Sequence, residues 1–327
     1  MFRALLLEKN GDFNVSICDL TDESLPIGDI TVDVEYSTVN YKDGLAVTDS
    51  SPVIRSWPMV PGIDLAGRVI ESKNNKISVG TAVVVNGWGI GEKSWGGFAQ
   101  RARLQADWVV PIPEVFTTAQ AMAIGTAGFT AMLCVLALEE HYIFPDTGPI
   151  LVTGASGGVG SVTIALLAGL GYEVHASTGR LNEADYLRAL GAKEVFDRNE
   201  LSEPSNRPLN SAKWAGAVDT VGSHTLANLL TQILPEGCVA ACGNARGMDL
   251  SMTVAPFILR GVTLRGVHSV NVPFPRRSLV WERLANDLDV ELLNSMVHTI
   301  SLEQIPEICD DIVAGRVRGR IVVDVNR

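Results

Sequence analysis

The sequence predicts an α/β protein in which a β-rich domain precedes a parallel, doubly wound sheet. Three observations support this fold class. Short β-branched runs between Gly and Pro residues fill about the first 110 positions, a glycine-rich turn follows an apolar strand near residue 150, and strands then alternate with helices. Such alternation predicts right-handed strand–helix–strand units and therefore a parallel sheet.

The β-rich segments come first along the chain. They include the runs TVDVEYSTV, GTAVVVNGW and DWVVPIP, which are typical of short strands bounded by turns. The final residues, RGRIVVDVN, form one further β-branched run. We expect this last strand to return to the first domain.

A long apolar segment, AQAMAIGTAGFTAMLCVLALEE, connects the two regions. Its pattern predicts a helix that is broken around Gly125–Gly128. No apolar span of 18 residues is recognised in the sequence, so no membrane helix is expected.

Strands and helices alternate from about residue 149. The predicted strands are PILVTG, YEVHAST, GAVDTVG, CVAACG and VTLRGVHSV, and the predicted helices are VGSVTIALLAGLG, ADYLRALG and HTLANLLTQILP. The polar stretch 200–213 contains Pro204 and Pro208, which predicts a surface loop.

Length and composition limit the function classes. A chain of 327 residues, 46% hydrophobic and 19% charged, predicts two ordinary globular domains. The net charge of -11 argues against nucleic acid and anionic membranes as partners. The amino-terminal residues lack the features of a signal peptide, so we expect a cytoplasmic protein.

The five cysteines are scattered along the sequence. Cys238 and Cys242 form a C-x-x-x-C pair that could be redox-active or metal-binding, but small buried thiols in a strand are the favoured interpretation. No Cys₄ spacing of a structural zinc site is present in the sequence. We therefore expect no zinc.

The glycine-rich turn carries the strongest chemical signal. The strand Ile150–Thr153 runs into the turn Gly154–Gly160, and an apolar helix follows. Small residues let a backbone approach a pyrophosphate, which the amides at a helix start then bind. In this context the turn predicts a dinucleotide-binding Rossmann sheet.

A rival interpretation uses the same residues. Gly154-x-Ser156-x-Gly158 also fits the nucleophile elbow of α/β-hydrolases, and Asp219 and His268 follow in the chain order of a catalytic triad. Gly160, however, has no role in an elbow, and a hydrolase does not require the preceding β-rich domain. A tight turn without function is the third possibility.

The end of the second Rossmann strand indicates which nicotinamide cofactor is bound. An NAD site usually has Asp or Glu here, about 20 residues after the glycines. This sequence instead reads Ala176-Ser177-Thr178-Gly179-Arg180, with no carboxylate. Hydroxyls and a guanidinium are suited to a 2′-phosphate, so NADPH is favoured.

Several blocks make the chain resemble the medium-chain dehydrogenase/reductase superfamily, and within it the acrylyl-CoA reductase group of zinc-free quinone-oxidoreductase-like enzymes. The blocks are NYKDGLA, PGIDLAGRV, GWGIGEKSWGGFAQRARL, IGTAGFTAMLCVLALE, VTGASGGVGS, AGAVDTVG, CVAACG and PFILRGVTLRGV. The resemblance implies a GroES-like catalytic domain over 1–123 and 270–327 and a Rossmann NADPH-binding domain over 124–269. It also implies reduction of acryloyl-CoA to propanoyl-CoA by a homodimer.

The resemblance places the cofactor residue by residue. It implies that the pyrophosphate lies over Ser156, Gly157, Gly158 and Val159, and the 2′-phosphate at Ser177, Thr178, Gly179, Arg180 and Arg198. It implies nicotinamide contacts at Thr130 on a helix start and at Asn244 and Ser269 on two strand ends. It also implies that Arg320 is a basic residue facing the cofactor. The alternatives are an N-cap for Thr130 and turn roles for Asn244 and Ser269.

Ile63 and Asp64 stand where zinc relatives hold a His-Glu pair, and NYKDG contains no thiol. Hydride addition to a C=C bond conjugated with a thioester needs hydrogen-bond donors on the thioester oxygen, and then a proton. Tyr41 is the candidate to orient the nicotinamide or deliver this proton, with a packing role as the alternative. Asp64 would anchor the group, and a structural role is favoured for it.

Other functions remain open in the sequence. The same hydride chemistry would serve a quinone or enal reductase, and the chain could bind NADPH without catalysis. Exposed arginines should hold the CoA phosphates, with Arg55, Arg276 and Arg277 as candidates against ordinary surface roles. The apolar edge strand VTLRGVHSV predicts pairing with a second copy.

Overall fold

The computed structural model describes residues 1–204 and 207–327. Its strands are β1 (Phe2–Asn10), β2 (Asp12–Leu20), β3 (Ile30–Val39), β4 (Asp64–Ser72), β5 (Ala82–Asn86), β6 (Arg101–Leu104), β7 (Val110–Pro111), β8 (Ile150–Thr153), β9 (Val174–Thr178), β10 (Ala192–Asp197), β11 (Trp214–Asp219), β12 (Ile233–Ala241), β13 (Thr263–Gly266), β14 (Val297–Ile300) and β15 (Arg320–Asp324). Its α-helices are α1 (Tyr41–Val47), α2 (Thr118–Glu139), α3 (Gly158–Gly169), α4 (Ala184–Ala189), α5 (Ser223–Leu230), α6 (Ala255–Arg260), α7 (Phe274–Asp287), α8 (Val290–Ser295) and α9 (Ile305–Val313).

The chain divides into two compact units. The first consists of Met1–Ala127, Ser269–Ala285 and Leu293–Arg327, and the second of Gly128–His268 and Asn286–Leu292. Each unit has its own sheet.

The first unit is built on a seven-stranded sheet. Six strands follow the order β14-β15-β3-β4-β5-β7, and β6 pairs with β3. The carboxyl-terminal strand pairs antiparallel with β3, which confirms that the last strand returns to the first domain. Apolar residues of these strands, among them Ile30, Leu65 and Val83, form a buried core together with Leu5 of β1 and Phe98.

The second unit contains a six-stranded parallel sheet in the order β10-β9-β8-β11-β12-β13. The strand order reverses between β8 and β11, which is the switch point at which doubly wound sheets bind ligands. The predicted parallel sheet is confirmed. Strand β13 lies at the edge, and it is shorter than the predicted run 262–270.

Helix α2 corrects one expectation. It is 22 residues long, so the sequence does contain a helix long and apolar enough to cross a membrane. The apolar stretch is 94% buried within the fold, and burial on all sides accounts for its being apolar all round. The predicted break is confirmed at Gly125, where φ is 47° and ψ is -157°.

The polar stretch 200–213 is largely irregular where it is described. A short 3₁₀ helix, Arg198–Leu201, begins it, and no regular element follows before Trp214 within the described residues. Ser205 and Asn206, which the loop prediction includes, lie outside the described residues.

Candidate active site

The glycine-rich turn between β8 and α3 has the close packing that a dinucleotide site needs. Gly154 has a φ of +59°, and a β-carbon there would lie 2.2 Å from Oγ1 of Thr220. A β-carbon on Gly160 would lie 2.5 Å from the carbonyl oxygen of Gly154. Gly157 is the N-cap of α3 and has no side chain to cap it, so the first amides of the helix are available to an anion.

Ser156 connects this turn to the end of β9. Its side chain is buried, and its hydroxyl lies 3.0 Å from Oγ1 of Thr178. Arg180 donates from Nη2 to the carbonyl oxygen of Ser156 at 3.2 Å and to its hydroxyl at 3.0 Å. The structure therefore brings together residues predicted for the pyrophosphate and for the 2′-phosphate.

A second guanidinium lies at the same strand end. Arg198 begins the 3₁₀ helix after β10, and a β-carbon on Gly179 would lie 2.5 Å from its Cζ. Ser177 is buried, and its hydroxyl has no hydrogen-bond partner among the described residues. Asp197, in register with Thr178, is committed to the backbone amide of Asn199 at 2.8 Å. The donors present here suit a phosphate.

The geometry argues against the hydrolase interpretation. Asp219 is fully buried and accepts hydrogen bonds from Oγ1 of Thr153 at 2.7 Å and from the backbone amide of Gly222 at 2.8 Å. Ser156 bonds to Thr178 and Arg180 as described above, and His268 is exposed. In the described part of the chain, no hydrogen bond joins the three triad candidates.

The three residues predicted for the nicotinamide half lie in different settings. Thr130 is buried in the helical stretch of α2 that follows the non-helical backbone of Gly125, five residues beyond it, so its N-cap alternative is wrong and its contact with the nicotinamide half stays a prediction. The carbonyl of Asn244 accepts from the amide of Gly247 at 3.0 Å in a turn after β12. Ser269 lies three residues beyond the end of β13 and is the first residue of the segment that belongs to the first unit.

Asp64, at the start of β4, is the centre of a buried polar cluster in the first unit. Its Oδ2 accepts from Nδ2 of Asn40 at 2.7 Å and from the amide of Thr126 at 2.8 Å. Its Oδ1 accepts from the hydroxyl of Thr126 at 2.6 Å. Burial raises the pKa of Asp64, which the hydrogen bonds and the positive charge of Arg320 partly offset. These contacts favour the anchoring role.

Arg320 supplies the cluster with a buried positive charge. It donates from Nε to the carbonyl oxygen of Ala123 at 2.7 Å, and from its terminal nitrogens to Oγ1 of Thr38 at 2.9 Å and Oδ1 of Asn40 at 3.4 Å. The Asn40 amide thus joins Arg320 to Asp64. The cofactor-facing role of Arg320 stays a prediction.

Tyr41 is the first residue of α1, and buried neighbours hold it there. Asn40 is the N-cap, and its amide donates to Oδ2 of Asp43 at 2.8 Å in a capping box. Oδ1 of Asp43 accepts from the amide of Ile63 at 2.9 Å. Tyr41 itself is 41% exposed, so its ring can meet a ligand.

Asp43 is a site residue that the sequence did not single out. Burial first, and then the charge of Asp64, raise its pKa to about 7. The spacing Asn40-x-x-Asp43 is that of a capping box and could have revealed it.

The donor set of the first unit does not fit zinc. Ile63 offers no ligand atom, and both oxygens of Asp64 are bonded to Asn40 and Thr126. Across residues 1–204 and 207–327, no group of three His, Cys, Asp or Glu side chains could hold a metal ion.

Arg277 is not the exposed CoA-binding residue that the sequence predicted. It lies in α7, is fully buried, and donates from Nη1 to the carbonyl oxygen and to Oδ1 of Asn86, both at 2.8 Å. The physical reason is helix periodicity, because Arg277 shares the buried face of α7 with Val280, Trp281 and Leu284. Arg276 is half-buried, whereas Arg55 is exposed.

The cysteines fit the simpler interpretation. All five are free thiols, and Cys238 is buried in β12. Burial raises the pKa of Cys238 to about 11, which makes it a poor nucleophile and a poor metal ligand.

Two family models match the sequence. Residues 26–114 match the alcohol dehydrogenase GroES-like domain, and residues 158–286 match the zinc-binding dehydrogenase domain.

Several relatives match the sequence over nearly its full length. The chain is 50% identical to "Acrylyl-CoA reductase AcuI" of Ruegeria pomeroyi, covering 100% of both chains. It is 49% identical to "Probable acrylyl-CoA reductase AcuI" of Escherichia coli, covering 99% of this chain and 100% of that one. It is 41% identical to "Putative quinone oxidoreductase YhfP" of Bacillus subtilis, covering 99% and 98%.

Solved structures share this fold. The YhdH oxidoreductase of Salmonella enterica in complex with NADP superposes with a TM-score of 0.96 at 48% identity, covering 99% of both chains. YhdH of E. coli with bound NADPH gives the same TM-score at 49% identity, covering 99% of this chain and 100% of that one.

Proposed function

Because the chain belongs to the medium-chain dehydrogenase/reductase superfamily, among the acrylyl-CoA reductases, we propose that it reduces the C=C bond of acryloyl-CoA with NADPH and releases propanoyl-CoA. The observation that carries this proposal is the 50% identity to an acrylyl-CoA reductase over the whole of both chains. The phosphate-binding geometry of the second unit supports it independently.

The residues of the second unit fit NADPH. The amides at Gly158 and Val159 would bind the pyrophosphate, with Ser156 and Gly157 beside them. The 2′-phosphate would be held by Ser177, whose buried hydroxyl lacks a partner among the described residues, together with Thr178, Gly179, Arg180 and Arg198. Bound NADPH supplies a hydride for the β-carbon of the substrate.

We assign the two units different tasks. The first would be the GroES-like catalytic domain and the second the Rossmann NADPH-binding domain, with boundaries near residues 123 and 269. Thr130, Asn244 and Ser269 would contact the nicotinamide half of the cofactor, and Arg320 would contribute a positive charge.

The first unit would supply the remaining chemistry. Negative charge develops on the thioester oxygen as the β-carbon receives hydride, and hydrogen-bond donors there stabilise it. The α-carbon then takes a proton. Tyr41 would orient the nicotinamide or deliver this proton, because its ring is exposed on a helix start fixed by Asn40 and Asp43. Asp64 would hold that frame in place.

We further propose that the reaction needs no metal. The conjugated thioester already activates the alkene, and the cluster around Asp64 offers no set of zinc ligands within the described residues.

A homodimer is proposed from the surface around β13. This edge strand has an unpaired side, and the preceding helix α6 exposes two large apolar side chains, Ile258 at 73% and Leu259 at 66%. Exposed apolar groups on the helix that precedes an edge strand favour pairing with a second copy.

A cytoplasmic location is also proposed. All five cysteines are free thiols, which is typical of proteins in a reducing compartment. The substrate would be a small acyl-CoA, and neither nucleic acid nor a membrane is proposed as a partner.

The runner-up is a quinone or 2-alkenal reductase, which the 41% identity to a putative quinone oxidoreductase favours. The test is to compare kcat/KM for acryloyl-CoA, a benzoquinone and a short enal at saturating NADPH. We expect the highest value for acryloyl-CoA. A higher value for the quinone or the enal would overturn the assignment. NADPH binding without oxidation by any acceptor would indicate a non-catalytic protein.

A further inference from the structure

Arg277 donates hydrogen bonds to acceptors in two segments of the first unit that are far apart in sequence. It donates twice to Asn86, as described above. Its Nη2 also donates to the carbonyl oxygens of Val270 at 3.3 Å and of Ser269 at 3.5 Å. One guanidinium therefore joins the end of β5 to the segment that follows β13.

The same two segments pack against each other through the backbone. The amide of Trp88 donates to the carbonyl oxygen of Val270 at 3.0 Å. Gly87, with a φ of +83°, has room for no β-carbon, since one would lie 2.5 Å from that same oxygen. The Arg277 guanidinium lies 5.0 Å from the centre of the Trp88 ring, as in a cation–π contact. The position of residues 269 and 270 therefore depends on this junction.

From these contacts we infer that Arg277 is a positioning residue, which fixes the Ser269 backbone so that its side chain meets the nicotinamide half of the cofactor. The inference rests on the proposed function, in which Ser269 contacts that half. A planar guanidinium can bond four oxygens from two segments, whereas the single ammonium of lysine cannot reproduce the fork.

Arg277 keeps its positive charge although it is buried. Burial lowers its pKa to about 10, and the negative charge of Asp64 opposes the shift. The side chain is therefore a cation at neutral pH and can donate to all of these carbonyl oxygens.

The experiment compares two ligands that report on different parts of the cofactor. NADPH carries the nicotinamide half that Ser269 is proposed to contact, whereas 2′,5′-ADP carries only the adenosine with its phosphates. Dissociation constants are measured for the wild type, Arg277→Lys and Arg277→Met by ligand fluorescence or calorimetry. Arg260→Lys is the matched control, because Arg260 also donates to main-chain carbonyls, at Thr231, Ile233 and Asn210, but lies in the second unit.

We expect both Arg277 variants to bind NADPH about tenfold more weakly and 2′,5′-ADP within about twofold of the wild type. Equal losses for the two ligands would show a general structural role and overturn the inference, as would unchanged NADPH binding. If Arg277→Met does not fold, Asn86→Leu, which removes only the Oδ1 contact, should weaken NADPH binding in the same selective way.

These outcomes are separable from the proposed activity. Neither binding measurement uses an alkene acceptor, so a wild type that fails to reduce acryloyl-CoA would defeat the proposed function alone. If the wild type binds NADPH no more tightly than 2′,5′-ADP, the nicotinamide half adds no affinity and the inference is overturned.

Discussion

The guanidinium of Arg198 lies directly over the backbone of Gly179, where a β-carbon would be 2.5 Å from its Cζ. The next residue, Arg180, bonds to Ser156 in the glycine-rich turn. Two positive groups thus flank one glycine at the end of β9. Guanidinium donors at this strand end are suited to an anion, and the 2′-phosphate of NADPH is the anion we propose.

Arg180→Ala should weaken NADPH binding on the order of 10- to 100-fold, because a charge-assisted contact contributes about 1.5–3 kcal/mol. NADH lacks the 2′-phosphate, so its dissociation constant should hardly change. Fluorescence titration with each cofactor gives the two dissociation constants, which are compared between the variant and the wild type. Arg188→Ala is the control, since Arg188 pairs with exposed Asp185 on the surface of α4. Equal losses for NADPH and NADH would refute the phosphate assignment.

Gly179→Ala tests the contribution of Arg198 to the proposed 2′-phosphate site. The added methyl would displace the Arg198 guanidinium, so we expect weaker NADPH binding with NADH binding retained. The measurement is the same pair of titrations. If the two cofactors weaken alike, the substitution has disturbed the backbone and not the phosphate contact.

The sequence predicted this half of the site because its determinants are local. Strand, turn, helix and strand end follow one another over residues 150–180, and small residues at fixed positions have few other uses there. Arg277 shows the opposite case. Its acceptor Asn86 is 191 residues away in the sequence. Two adjacent arginines are typical of an exposed position, and only the packing of α7 shows that Arg277 is buried.

The protein should be active without metal. Metal analysis of the purified protein should find far less than one zinc per chain, because Ile63 provides no ligand atom and Asp64 is fully used in hydrogen bonds. Incubation with a chelator should leave NADPH oxidation unchanged. Stoichiometric zinc that is lost together with activity would contradict this expectation.

The apolar surface of α6 should hold two copies together. Ile258→Glu places a charge at a site that is 73% exposed in the single chain, and desolvating that charge in an interface is costly. We expect the wild type to be a dimer at micromolar concentration and this variant to be a monomer, by chromatography with light scattering. Ile27→Glu, at a position 96% exposed in the first unit, should remain a dimer. A monomeric wild type would exclude the proposed interface.

Asp43 should make stability depend on pH in an unusual direction. Its pKa is raised to about 7, so the folded state keeps a proton that the unfolded state has lost above pH ~4. The free energy of unfolding therefore falls as pH rises towards 7, by about 1.4 kcal/mol per pH unit from this group.

The measurement is urea unfolding of the wild type and Asp43→Asn between pH 5 and 8. The wild type should lose stability relative to the variant up to about pH 7, and the difference should then level off. Asp64 also has a raised pKa and is present in both proteins, as is the neighbouring cation Arg320. Parallel curves for the two proteins would mean that Asp43 is already ionised in the folded state at pH 5.

The polar cluster of the first unit could be predicted only in part. Tyr41 and Asp64 were recognised through a family resemblance, but Asp64 is bonded to Thr126, 62 residues away, and Asn40 to Arg320, 280 residues away. Such pairings depend on how the helices and strands pack together in the fold, which sequence spacing does not encode. Only the capping box at Asn40 and Asp43 was local enough to be read directly.

Tyr41→Phe should separate the two roles proposed for the Tyr41 side chain. If its hydroxyl delivers the proton to the α-carbon, kcat should fall on the order of 10²- to 10⁴-fold while the NADPH dissociation constant is unchanged. If the hydroxyl instead orients the nicotinamide, KM for NADPH should rise and kcat should change little. Tyr142→Phe is the control, because Tyr142 is 81% exposed and lies in the second unit. Wild-type kinetics in Tyr41→Phe would show that the hydroxyl has neither role, and water would then be the proton donor.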